Sequence, residues 1–205
     1  MRARVVCLVS FVVASVVVVH PQGQPADVIS DPEAYRVYAM LFPTLWPVRA
    51  AHATNLVIQT QSVIKRSLTE DGSDCLPTGL PTGTPLPEEW QSVTDGFKRE
   101  NTRRRRLLPR LPVMGVSYRL VAEADIVRTL QPPDFWEGFY AKFPDSGGYY
   151  AVSAVGFNEA KTRAMVYIET YYGLLGADGR FYLLEKNDGQ WAQSKLRISA
   201  CLWES

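Results

Sequence analysis

Histidine and cysteine are scarce: the 205 residues hold two of the first and three of the second. A leader over residues 1–26 would remove His20 and Cys7, leaving His52, Cys75 and Cys201. One histidine excludes paired-histidine metal sites and the His-Glu-x-x-His protease pattern, and Cys-x-x-Cys is missing too. A Ser-His-Asp triad would need His52 as its base, yet no Gly-x-Ser-x-Gly elbow exists and Ser153 sits in an expected strand. His52, between two alanines, reads as a loop or surface histidine. Excess charge of one sign is also lacking. Lys+Arg 22 stands against Asp+Glu 21, so no bulk field recruits nucleic acid or an anionic membrane. No repeat or low-complexity tract occurs, and a 46% apolar, 21% charged composition excludes disordered, collagenous and coiled-coil classes.

The N-terminus carries the one long apolar run. Arg2 and Arg4 precede it, and only Ser10 and Ser15 interrupt residues 5–19. A polar, proline-containing tail to Ala26 follows, the order of a secretion signal. The run is short of the roughly twenty residues a membrane-spanning helix needs. We therefore expect a signal peptide over 1–26, a single α+β domain over 27–205, and a secreted or periplasmic location. The alternative is an uncleaved anchor. Cleavage would remove two arginines and no acid, giving 20 against 21.

In an oxidising compartment Cys75 and Cys201 are the disulfide candidates, and two separate buried thiols are the alternative. Closing a loop of that size is worth at most about 4 to 5 kcal/mol on chain entropy.

Local patterns supply the elements. Ser30 or Asp31 caps a helix that opens at Pro32-Glu33, carries Tyr35, Tyr38 and Leu41, and ends at Pro43. Residues 55–65 read as a strand. Residues 72–87, rich in Pro and Gly, read as a long loop. Helical spacing returns over 88–100 through Trp90, Val93 and Phe97. A strand at 116–120 and a helix at 122–130 follow, then Pro132-Pro133 and a helix capped by Asp134. Strands at 149–157, 162–172, 180–185 and 190–203 complete the chain. Two of their connections hold Asp-Gly, a hairpin signal.

Together these predict an α+β fold: a curved antiparallel meander of about four to six strands, with helices packed on one face. The runs SAVGFN (153–158), Lys161-Thr162, AMVYIE (164–169) and LLEKNDGQW (183–191), with the closing Cys-Leu-Trp-Glu-Ser, resemble a type of exported bacterial protein. The resemblance implies export and this meander, and it implies no activity. Proteins of that type often carry cysteines around the middle hairpin, where Tyr172 and Leu175 stand here. In shape, helices followed by such a meander resemble the cystatin-like and nuclear-transport-factor-two-like rolls, which host isomerases, dehydratases, inhibitors and binding modules alike. The Gln-x-Val-x-Gly loop of a cystatin inhibitor is missing, since Gln61-Ser62-Val63-Ile64-Lys65 lacks its glycine.

Several groups remain as candidates for chemistry. Glycines 173, 176 and 179 lack the Lys-Ser/Thr of a phosphate loop, and both Asp-Gly turns fail the calcium-loop pattern. Glu123 with Asp125, and Asp134 with Glu137, are acid pairs that a roll-type enzyme could use beside Tyr140 or Tyr167; Glu169 is a further acid on a strand. Helix caps and solvated faces are the simpler account. Arg103, Arg104, Arg105 and Arg106 form the sharpest charge run, a candidate for an anionic partner or else a solvated helix end. We assign no catalytic, cofactor-binding or metal-binding residue and expect no cofactor. The leading expectation is a non-catalytic module binding a small ligand or envelope protein. A roll-type enzyme and a structural cell-envelope protein are the alternatives.

Overall fold

A computed structural model describes residues 28–45, 53–64, 79, 84–111, 116–196 and 198, with the backbone of 203–204. The segment expected as a leader (1–26), His52, Cys75 and Cys201 lie outside the described residues, as does most of the stretch expected as a loop over 72–87.

Helix α1 (Pro32–Leu41) starts as its sequence dictates. Asp31 is the cap, its carboxylate accepting the Glu33 N–H at 3.0 Å, and Pro32 fills the first turn. Pro43 falls in the short 3-10 turn that ends it. Strand β1 (Asn55–Gln59), helix α2 (Glu88–Glu100), strand β2 (Ser117–Val121) and helices α3 (Glu123–Thr129) and α4 (Phe135–Lys142) follow. Asp134 precedes α4 but makes no side-chain cap bond. The last third supplies β3 (Ser146–Val152), β4 (Gly156–Phe157), β5 (Arg163–Gly173), β6 (Gly176–Asn187), β7 (Gln190–Gln193) and β8 (Trp203–Glu204).

The strands form one curled sheet in the order β2-β1-β3-β5-β6-β7, with β4 also on β5 and β8 also on β6. The α+β class holds, and the C-terminal strands pair antiparallel as expected. The other edge differs. Strand β1 pairs in parallel with both β2 and β3, because helices intervene between these strands and carry the chain back to the same end.

Helices cover both faces rather than one. Along β5, Ala164, Val166 and Ile168 pack with Tyr35, Val37, Tyr38 and Leu41 of α1. Met165 and Tyr167, alternating with them, pack with Trp90, Val93 and Phe97 of α2. Helices α3 and α4 join Val57 and Tyr149 on the α2 side. Both alternating sets are buried, so each face needs a cover. Glu33 ties α1 to the far strands, accepting from Lys186 Nζ at 2.6 Å and Trp191 Nε1 at 2.9 Å and pairing with Arg36 at 2.6 Å.

The two Asp-Gly signals fare differently. Asp188 and Gly189, both at positive φ, make the two-residue turn between β6 and β7. Asp178 and Gly179 lie inside β6, and the β5–β6 turn is Leu174-Leu175. The strand expected over 149–157 is broken. Val152 pairs with Ile168 but Gly156 pairs with Met165, four residues against three, which is a β-bulge.

Candidate functional site

The bulge sits where α2 meets the sheet. Gly96 of α2 and Gly156 of β4 touch backbone to backbone. A Cβ on Gly96 would lie 2.3 Å from the Phe157 carbonyl oxygen, and one on Gly156 would lie 2.3 Å from the Phe97 nitrogen. Side chains then satisfy the backbone that the bulge frees from the ladder. Buried Asn101, just past α2, donates to the Ala154 carbonyl at 3.0 Å and accepts from the Ala154 N–H at 2.9 Å. Tyr38 donates to the Ser153 carbonyl at 2.8 Å, and Ser153 Oγ accepts from the Tyr167 N–H at 2.8 Å.

This arrangement floors an open groove of about 720 Å³. Ile29, Ala34, Ala154, Val155 and Phe157 give the apolar part. One wall is the outer face of α2 with Ser92, Asp95, Arg99 and Glu100; the other is the start of α1 and the β4–β5 turn with Asp31, Glu159 and Lys161. The turn is rigid. Asn158 Oδ1 accepts from the Thr162 and Arg163 N–H groups, both at 2.9 Å, and Lys161 adopts a positive φ that brings Nζ to 2.7 Å from Asp31. A non-glycine residue holds that conformation only when its surroundings over-determine it, and such residues gather at binding sites. Arg105 completes the groove, paired with Glu100 at 2.8 Å, while its buried Nε has no hydrogen-bond partner. Four acids and three bases thus share the lining, with both signs on both walls.

The arginine run is built into the fold beside this groove. The Arg105 N–H and the Arg104 guanidinium donate to the hydroxyl and carbonyl of Ser62, at 2.8 and 3.0 Å. Arg104 pairs with Glu123 at 2.7 Å, and the Arg106 carbonyl accepts from the Ile29 N–H at 2.8 Å. The segment therefore lies extended between residues 28–29 and 60–62, with Arg103 exposed at its start. Arg106 and Glu123 also line a second concavity of about 620 Å³ at the ends of β1 and β2.

The acids proposed for roll-type chemistry are scattered. Asp125 pairs with Arg128 at 2.7 Å, while Asp134, just before α4, and Glu137, on it, are exposed. Glu169 does meet a tyrosine, its carboxylate accepting from Tyr171 OH at 2.9 Å. Tyr171 stacks on Tyr149 with centroids 4.6 Å apart. Burial first, then the Glu169 charge and hydrogen bond, push the Tyr171 phenol far above its ordinary value; burial with Glu169 and Glu123 takes Tyr149 to about 12. None of these residues lines the large groove. Among the described residues no three or more His, Cys, Asp or Glu gather to hold a metal, and no helix is long and apolar enough to cross a membrane.

The groove residues were not legible as a site in the sequence, because Asp31, Asp95, Arg99, Glu159 and Lys161 come from three separate segments. The available signal was glycine at 96 within a helical pattern and at 156 within a strand, each a mark of close backbone approach. No protein-family model matches the chain, and neither the curated proteins nor the solved structures yield a significant match.

Proposed function

We propose that the protein is an exported, non-catalytic binding module whose ligand is a short segment carrying both charge signs, such as a mixed-charge peptide. The observation that carries this reading is the groove at the bulge: apolar floor, both signs on both walls, and a size within the usual range of ligand sites. A polyanion or polycation would meet repulsion on either wall. A ligand with an apolar middle and opposite charges at its ends meets a partner at each point.

The test is calorimetric titration with three tripeptides, Lys-Leu-Glu, Glu-Leu-Glu and Lys-Leu-Lys. The mixed peptide binds at least tenfold more tightly than either single-sign peptide, and Arg99→Glu weakens it. Equal binding of all three, or no binding of the mixed one, overturns the proposal.

The Glu169–Tyr171 hydrogen bond favours a second reading, a roll-type enzyme using this acid and phenol as a proton-transfer pair. Its weakness is position, since the pair lies outside the groove. That reading requires a bound small molecule displaced by Glu169→Gln and untouched by Arg99→Glu.

A further inference from the structure

The longest hairpin ends in two leucines. Leu174 and Leu175 are 74% and 86% exposed, the most exposed large apolar residues among those described. They form the whole turn between β5 and β6, beyond the last pairing of β3 at Tyr171 and of β8 at Asp178. Turns favour Asn, Asp, Gly and Ser, and neither leucine has the positive φ that would restrict the choice. Folding therefore gives no reason for two leucines here.

The tip is braced to hold them out. The Tyr172 ring lies against Gly176, where an added Cβ would meet it at 2.6 Å, and Tyr140 OH donates to the Tyr172 carbonyl at 3.0 Å. A fixed tip loses little conformational freedom on docking. From Thr170 to Ala177 no residue is charged. The bounding acids are occupied, Glu169 by Tyr171 and Asp178 by Arg180.

We propose that this tip inserts into the interface of a lipid bilayer of no net charge. The leucines offer roughly 300 Å² of surface on a convex point, well below the roughly 800 Å² per partner of a stable protein interface. Tyrosines set just behind apolar residues suit the headgroup level. The lack of any basic residue along the tip separates this mode from capture by anionic lipid.

Flotation with phosphatidylcholine vesicles tests it, using protein recovered from its own secretion route and the Leu174→Ser/Leu175→Ser variant. Both carry the same N-terminus, so their difference reports the hairpin alone. The wild type floats at millimolar lipid, and the variant needs about tenfold more lipid or fails to float. The wild-type result holds when salt rises from about 0.05 to 0.5 M. Unchanged circular dichroism shows that the variant is folded. Equal flotation of both proteins, flotation of neither, or a requirement for anionic lipid overturns the proposal. So does a protein partner lost in the variant while vesicles bind neither protein.

Discussion

Replacing Gly96 with alanine isolates the contact on which the groove depends. In an ordinary helix interior this change stabilises by about 1 kcal/mol, because alanine is the better helix former. Here the new methyl would sit 2.3 Å from the Phe157 carbonyl oxygen and 3.1 Å from the Phe157 nitrogen. Both are backbone atoms and cannot rotate away. Relief requires α2 and β4 to part by about 1 Å, which opens the packing of Val93 and Phe97 on Met165 and Tyr167. Overpacking of this kind costs about 1 to 3 kcal/mol, and backbone against backbone belongs at the upper end. Net of the propensity gain, we expect a loss of about 2 kcal/mol. Urea unfolding followed by circular dichroism would show it as a midpoint lowered by about 1 M, from the slope usual for small proteins. Ser92→Ala, at an exposed position on the same helix, is the control and leaves the midpoint unchanged or raises it. A Gly96→Ala midpoint at or above wild type would refute the placement of α2 on β4.

Three further outcomes follow from the same contacts. Asn101→Ala strips the Ala154 N–H and carbonyl of their partners, and at about 1 to 3 kcal/mol for each of the two buried groups the loss is about 2 to 6 kcal/mol, read as a drop in melting temperature. Burial alone would raise the Glu33 carboxyl, but hydrogen bonds from Lys186 and Trp191 and the charges of Lys186 and Arg36 hold it below its ordinary value. Its contribution is therefore complete above the unfolded-state value and is lost as pH falls through the folded one. Melts between about pH 7 and 3 should fall less steeply for Glu33→Gln than for wild type, and parallel curves would contradict the assignment. Tyr171→Phe removes a phenol that ionises far above its ordinary range, so absorbance titration of wild type should show it silent until the fold is lost at alkaline pH.

Much of the architecture was readable because local chemistry and global packing agree. Helix α2 occupies the residues its periodicity marked, with Trp90, Val93 and Phe97 inward. The Asp31 cap and the Asp188-Gly189 turn carry their own mechanisms. The misses have physical causes. Asp178-Gly179 could have been a turn, but pairing with Thr170 and Glu169 keeps it in the strand. The bulge was hidden because Ser153 is the one clearly polar residue in 149–157, so no polar–apolar alternation marks the extra residue. The second covered face was hidden because Met165 and Tyr167 share their face of β5 with the charged Arg163 and Glu169, and only the position of α2 reveals that they are buried. The groove depends on distant segments meeting, which periodicity does not encode. The arginine run shows the converse, a conspicuous sequence feature whose backbone and two of whose side chains hold the fold together.

The claim that the groove at the bulge is the binding site is tested most directly by amide chemical-shift mapping during titration with Lys-Leu-Glu. Saturable shifts should be confined to residues 29–34, 92–105 and 154–161 and be lost together in Arg99→Glu. Shifts centred on Glu169, Tyr171 and Gly179, or none at millimolar peptide, would contradict it.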